Sequence, residues 1–366
     1  MRGIVLIRLY CIYNTSELLE KNVNTLYNHI TEYEYDSQNR KINELHSIGN
    51  DKVYNGVTYA SGAADVRNNE SNIESARLQV KPEGINPVMM QGTFRYDALN
   101  RLTQEKVLKG TTAGTPYTKN YTYYNYGNHN TTHKIQNITH TFNEGSLTEN
   151  IYYDNRGNIT SILGTKSFNT GNVGIGQVNT NYTKMYQYDE KDQITIAQDT
   201  YYGDTYEYTY DDNGNILTEK KNGQLNFTYY YDGVNKDRLT KVTPASMGAP
   251  IPVEYDGMGN IKYDPFGGGT LSWTAGKELV SSNNGKTTYT YDENGIRTKK
   301  DSSMYETKYV LEGSRPVRVE TLRKSDNTKH TFDIFYDGNE NALGFIYNGT
   351  ERYTYVRNAL GEICDI

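Results

Sequence analysis

The pair Tyr-Asp recurs along this chain, and nine copies are taken as repeats, with the tyrosine at Tyr35, Tyr96, Tyr153, Tyr188, Tyr210, Tyr231, Tyr255, Tyr291 and Tyr336. From Tyr188 to Tyr255 the successive spacings are 22, 21 and 24 residues. Self-similarity at such a period marks a chain built from one repeated supersecondary unit. Two residues before each Tyr stands an aromatic or β-branched residue, from Tyr33 and Phe94 through Tyr208 to Ile334. That is the period-2 signature of a strand with one buried face. Four residues after the Tyr comes Gly, Asn or Asp in eight copies: Asn39, Asn100, Gly157, Asp192, Gly214, Asn235, Gly259 and Gly295. These residue types tolerate the left-handed backbone of a tight turn, and Glu340 is the exception. An apolar residue such as Leu102, Ile159, Ile194, Ile216 or Ile261 then reopens the chain.

Each unit therefore reads strand, turn, strand. About 20 residues suit two strands of ordinary length with their turns. Successive hairpins pair edge to edge, which predicts an all-β protein of tandem antiparallel hairpins in one curved or spiral sheet. A large twisted sheet does not stay flat. Composition agrees. Hydrophobic residues make up 35% of 366, and 36 residues are Tyr. With Tyr set aside, roughly a quarter of the chain is apolar, too little for a Leu- and Ala-rich helical globule. Tyrosine rings are expected to supply much of the core.

The net charge of −6, without a basic block, argues against nucleic acid as the main partner. Cys11 and Cys364 stand at opposite ends and form neither a disulfide framework nor a metal quartet. No apolar run approaches a membrane span. The opening "MRGIVLIRLYC" is interrupted by Arg8 and lacks a small-residue cleavage site, so no export signal is recognised. Three regions follow. Residues 1–30 read as an irregular leader, with a helix candidate over 16–30 capped by Ser16 and carrying Leu18, Leu19, Leu26 and Ile30. Residues 31–110 read as degenerate repeats, with loop or decayed repeat over 60–90. Residues 111–366 read as regular repeats, with a polar insertion at 164–181.

The stretches "FRYDALNRLTQE" (94–105), "YYDNRGNITSI" (152–162), "YTYDDNGNILTE" (208–219) and "VEYDGMGNIKYD" (253–264) resemble YD repeats of the Rhs-type family of bacterial toxin shells, which shares its repeat with the teneurins. "LSWTAGKELVSSNNGKTTYTYDENGIRTKK" (271–300) resembles that family's W-x-x-G-[KR]-x-L segment followed by Y-D-x-N-G-x-R. "YTYVRNALGEICDI" (353–366) resembles the last repeat before the family's C-terminal plug. The resemblance covers residues 90–366, weakens over 31–90 and leaves out 1–30. It implies part of a hollow β-shell that encloses and protects a C-terminal toxin polypeptide in a secreted or cell-surface parent protein. Its partners would be further YD repeats and the toxin cargo. The chain is shorter than a closed shell and stops before the self-cleaving plug and the toxin. An open arc, a fragment of a longer protein, is therefore the expectation.

The repeat-defining residues are expected to be structural: Tyr35, Asp36, Tyr96, Asp97, Tyr153, Asp154, Gly157, Tyr188, Asp189, Tyr210, Asp211, Gly214, Tyr231, Asp232, Tyr255, Asp256, Gly259, Trp273, Tyr291, Asp292, Gly295, Tyr336 and Asp337. Asp211, Asn213 and Asn215 are superficially calcium-like. However, Gly214 falls at loop position four, and Asn222 stands where a calcium hand needs Glu. The sister copies also vary the other ligand positions freely, so each Asp is read as tying an Asx turn. Asp264-Pro265 reads as a turn as well. The histidines at 29, 46, 129, 133, 140 and 330 show no zinc spacing. No G-x-S-x-G or P-loop occurs. The sequons at Asn137 and Asn348 matter only in a eukaryotic secretory host. No catalytic, metal or cofactor residue is assigned, and the chain is expected not to be an enzyme. The alternative is a carbohydrate- or cell-wall-binding array in which Tyr208, Tyr210 and Trp273 stack on cell-surface glycans.

Overall fold

Every regular element in the computed structural model is a β-strand, over the described residues 9–24, 28–60, 72–108, 116–126, 130–143, 145–169, 177–274 and 276–366. Neighbours in sequence pair antiparallel, and the first nineteen strands belong to one sheet that is not closed into a barrel. No helix among the described residues is long and apolar enough to cross a membrane. The chain divides into two compact units, Met1–Ser146 with Tyr305–Ile366, and Leu147–Met304.

The first unit owes its core to alternation. In strand Val88–Tyr96, Val88, Met90, Gly92 and Phe94 are buried while the residues between them are not. In the paired strand Ile73–Lys81, Ile73, Ala76, Leu78 and Val80 face the same way. Strand Thr328–Tyr336 packs against them and contributes Phe335, with Ile346 from the next strand, Ala342–Tyr347. A Cβ on Gly92 would touch Leu343 and Phe335, which shows how closely the early and late strands of this unit approach. Each such side chain contributes about 1.5–3 kcal/mol on full burial. The core is thus mainly aliphatic. Among the tyrosines described, only Tyr33, Tyr117 and Tyr182 are buried. The expected tyrosine core is replaced by half-buried rings, because a phenol hydroxyl must stay near a partner.

The second unit is thinner. Its fully buried apolar side chains are Leu147, Ile151, Ile162, Tyr182, Val242 and Val253. In strands Ile194–Asp199, Asp204–Tyr210 and Ile216–Lys221 both faces are half-buried, apart from exposed Thr209 and Lys220.

Three local expectations change. The helix over 16–30 does not form among the described residues. Leu19–Asn24 is a strand paired with Leu9–Tyr13 and His29–Tyr35. Asn14 draws the chain into a turn and Glu17 takes a left-handed φ of 61°, which no helix continues through; Leu26 lies outside the described residues. The stretch 60–90 holds regular strand from Ile73, with 61–71 outside the described residues. The polar segment 164–181 is the far end of a hairpin formed by Ile159–Asn169 and Gln177–Tyr188, and 170–176 lie outside the described residues. In that hairpin Tyr182 lies across Gly164, its cross-strand partner, and a Cβ at Gly164 would overlap the ring. Gly164→Ala should therefore destabilise the protein by about 1–3 kcal/mol. A lowered urea midpoint by circular dichroism checks this, and an unchanged midpoint contradicts it.

Candidate functional site

The oxygens of the nine repeat aspartates show what those side chains do. In eight of them, Oδ1 accepts the backbone N–H groups two and four residues on. For Asp211 these come from Asn213 at 2.9 Å and Asn215 at 2.8 Å. Its Oδ2 accepts the Asn215 side-chain amide at 2.9 Å, as Asp256 does from Asn260. Asp36 and Asp97 receive the Nε of Arg40 and Arg101 instead, each at 2.7 Å. Three residues after each capping side chain the backbone turns left-handed, at Asn39, Asn100, Gly157, Asp192, Gly214, Gly259, Gly295 and, against expectation, Glu340 at φ 65°. The same geometry occurs where no Tyr-Asp stands. Asn14 binds the N–H of Ser16 and Leu18, Thr274 that of Gly276 and Glu278, and Asn358 that of Leu360 and Glu362. Glu17, Lys277 and Gly361 are the left-handed residues there. The signal missed was the side-chain acceptor itself, since Asn and Thr hydrogen-bond as an Asx or Ser/Thr turn requires. The Asn215 amide, with the turn N–H groups, holds the Asp211 carboxyl below the ordinary range.

The tyrosine before each cap has a second task. Tyr210 donates its hydroxyl to the carbonyl of Ile194 at 2.6 Å, and Ile194 opens the second strand of the preceding hairpin. Tyr35 does the same to Leu19, Tyr188 to Ile159, Tyr255 to Leu239, Tyr291 to Leu279 and Tyr336 to Pro316, at 2.7–2.9 Å. Tyr123, outside any Tyr-Asp pair, donates to Leu102. Trp273 takes this place before Thr274, and its indole N–H reaches the Ile261 carbonyl at 2.7 Å. Successive hairpins are thus linked by side chains as well as by their ladders.

The copy at Tyr231 departs from the rule. Its loop is longer, Asp232 bonds Thr240 and Lys241 rather than turn amides, and Asn235 is not left-handed. Asn235 instead accepts the N–H of Asp237, so the turn has moved along the chain. Tyr208 is half-buried and stacked on Tyr206, with ring centroids 6.4 Å apart. Asp264 accepts the Phe266 N–H at 2.9 Å in a turn, as the Asp-Pro pair suggested. Among the described residues no group of three or more His, Cys, Asp and Glu is placed to hold a metal.

Sequence reading did not find the buried ionisable groups of the first unit. Arg318 is clamped between Asp333 at 2.6 Å and Asp51 at 2.7 Å. Glu44 accepts Arg315 at 2.6 Å and pairs with Lys41 and with His46. His46 contacts His29 at 3.2 Å, and Thr31 lies 3.1 Å from both rings. Burial, reinforced by His46, lowers the His29 pKa to about 4. Burial beside Lys119 lowers that of His140 to about 3. These imidazoles are scattered single residues at the sequence level, and strand pairing sets His29 beside His46 and His140 beside Tyr117.

No protein-family model matches the chain, and no curated protein does. Among solved structures it is similar to crystal structures of TcdB2-TccC3-Cdc42 and TcdB2-TccC3, each at 10% identity, with TM-scores of 0.25 and 0.24. The matches cover 96% and 97% of this chain and 26% of each of those chains, so the chain spans about a quarter of their length. It is also similar to a porin-like protein from Bacteroides uniformis at 15% identity, with a TM-score of 0.21, over 68% of this chain and 94% of that one. Likenesses this slight establish neither fold nor function.

Two outcomes follow from the geometry. Tyr210→Phe should cost about 1 kcal/mol, the net worth of one hydrogen bond. Asp211→Asn should cost less than Asp211→Ala, because Asn14 and Asn358 already fill the same role. Urea denaturation of the three variants ranks them, and equal losses for Asn and Ala would contradict the capping role. The histidines set a pH window. A lowered native pKa means that the unfolded chain binds the proton first, so their contribution is whole above pH about 6.5 and is lost as pH falls toward 4. For His29 the full span corresponds to roughly 3 kcal/mol. Urea midpoints between pH 7.5 and 4.5 should fall, and His29→Gln should flatten the slope. A slope unchanged in that variant would remove His29 from the account.

Proposed function

We propose that the chain is a non-catalytic wall segment of an Rhs-type YD-repeat shell, which encloses and protects a toxin polypeptide carried by the same parent protein. One observation carries this reading. The side chains that define the repeat are largely spent within the wall, with eight of the nine carboxylates on their own turns and six of the nine tyrosine hydroxyls on the preceding hairpin. A catalytic or ligand-binding repeat keeps its signature groups available, whereas a wall does not need them free. The half-buried character of both faces in strands such as Ile194–Asp199 also supports a sheet with two wet sides. The motif resemblance supplies the cargo and a secreted or cell-surface setting.

The glycan-array alternative draws less support. Tyr210 and Trp273 have their polar ends on backbone carbonyls, and Tyr208 is stacked within its strand. The two readings separate in one experiment. The purified chain is presented with a labelled, permanently unfolded polypeptide and, separately, with a glycan panel. The wall reading expects weak retention of the polypeptide, insensitive to its sequence, and no glycan binding that depends on Tyr208 or Tyr210. Saturable glycan binding weakened by Tyr208→Ala and Tyr210→Ala, with the fold intact, overturns it.

A further inference from the structure

A cavity of about 120 Å3 in the first unit is walled by strands Lys41–Ile48 and Asp51–Tyr59, by Arg315, and by the turn after Tyr336. It adjoins a broader cleft of about 490 Å3, and Asn43, Gly56 and Arg77 line both. Two buried donors of cavity residues, Nε of Arg315 and Nδ2 of Asn55, have no partner. Oε1 of Glu340 stands 4.0 Å from that Nε, beyond hydrogen-bond reach. Arg77 is exposed at the junction and makes no hydrogen bond or ion pair with the described residues. The inner acids of the wall are committed elsewhere, and Glu340 at its rim is turned to solvent. Glu44 serves Arg315 Nη2, Lys41 and His46. Asp337 serves the N–H groups of Asn339 and Asn341. What remains unspent inside the wall is a pair of buried donors, with the Arg77 guanidinium and the exposed Glu340 carboxylate at the rim.

A buried donor without an acceptor costs about 1–3 kcal/mol, which an occupant of the right chemistry recovers. Unpartnered donors on an arginine and an amide, with the Arg77 guanidinium beside them, call for a carboxylate, the group an arginine fork holds best. The cleft beside it offers a different chemistry. Thr58 Oγ1 and Ser75 Oγ lie 2.7 Å apart and share one hydrogen, so one hydroxyl donor remains between them. Gln91, also on the cleft, makes no side-chain hydrogen bond with the described residues. Hydroxyls and amides in such a cleft suit a polyhydroxylated body. The cavity's own volume holds about four water molecules, so water is the competing occupant.

We propose that this cavity and cleft bind a hexuronic acid. Its carboxylate would sit against Asn55, Arg315 and Arg77, and its ring hydroxyls against Thr58, Ser75 and Gln91. The site is independent of the wall reading, since it uses none of the repeat tyrosines Tyr208 or Tyr210. Isothermal titration of the intact chain with D-glucuronate tests it. Glucose lacks the carboxylate and acetate lacks the ring, so these are the two control arms. Saturable binding of glucuronate in the millimolar range is expected, with glucose and acetate each at least tenfold weaker. Arg77→Ala, an exposed change, should weaken binding roughly tenfold without moving the melting temperature. Asn55→Leu should weaken it as well, with circular dichroism confirming the fold. No saturable binding at up to about 50 mM glucuronate would leave water as the occupant and overturn the proposal. So would glucose or acetate binding as tightly as glucuronate, or an Arg77→Ala variant that binds unchanged.

Discussion

A tight turn strips backbone N–H groups of their ladder partners, and this chain answers that demand at eight of its nine repeat turns with one side-chain oxygen placed at the start of the turn. Oδ1 of Asp211 takes two N–H groups, and the residue three further on, Gly214, accepts the left-handed φ that closes the loop. The arrangement recurs from Asn14 to Asn358. Everything between the turns depends on it, because the turn sets the register of the two strands it joins. Where the chain returns on Ile159 or Ile194, the carbonyl of that residue is the acceptor for the next repeat tyrosine. The repeat is therefore a closed exchange of hydrogen bonds, in which one hairpin presents a carbonyl and the next supplies the hydroxyl.

Such an exchange explains tolerance as well as pattern. The cap can be Asp, Asn or Thr, since all three offer an oxygen at the right reach. The donor can be a phenol or the indole of Trp273, since both carry a polar hydrogen at the end of a flat ring. The left-handed position is less forgiving in principle, yet Glu17, Lys277 and Glu340 occupy it. Each of these carries a backbone strain of about 1–2 kcal/mol, which the paired strands on either side hold in place.

The first unit adds what hairpins alone do not provide, a second layer. Strands from the two ends of the sequence bury Leu78, Met90, Phe335 and Ile346 together. Charged groups are shut in between them: Arg318 with Asp333 and Asp51, and Arg315 with Glu44. Buried pairs of this kind are weak sources of stability but severe penalties for mispairing. They single out the arrangement in which every charge finds its partner. The cavity next to Arg315 is the place where that matching is incomplete.

The hairpin itself was legible from the chain alone. Period-2 strands, the Asp after Tyr and the left-handed residue four further on follow from local sterics and local hydrogen bonds, and they appear where the spacing puts them in every copy but the one at Tyr231. The caps at Asn14 and Thr274 were present in the letters too, hidden because the eye follows Tyr-Asp rather than the acceptor oxygen. The helix at 16–30 was misread because leucine spacing says nothing about a turn that begins two residues earlier. The phenol-to-carbonyl links, the aliphatic core of the first unit and the cluster of Glu44, His46, His29 and Arg315 were not in the sequence pattern. The links between strands join residues 12 to 271 positions apart, and only strand pairing and layer packing decide which of those groups meet.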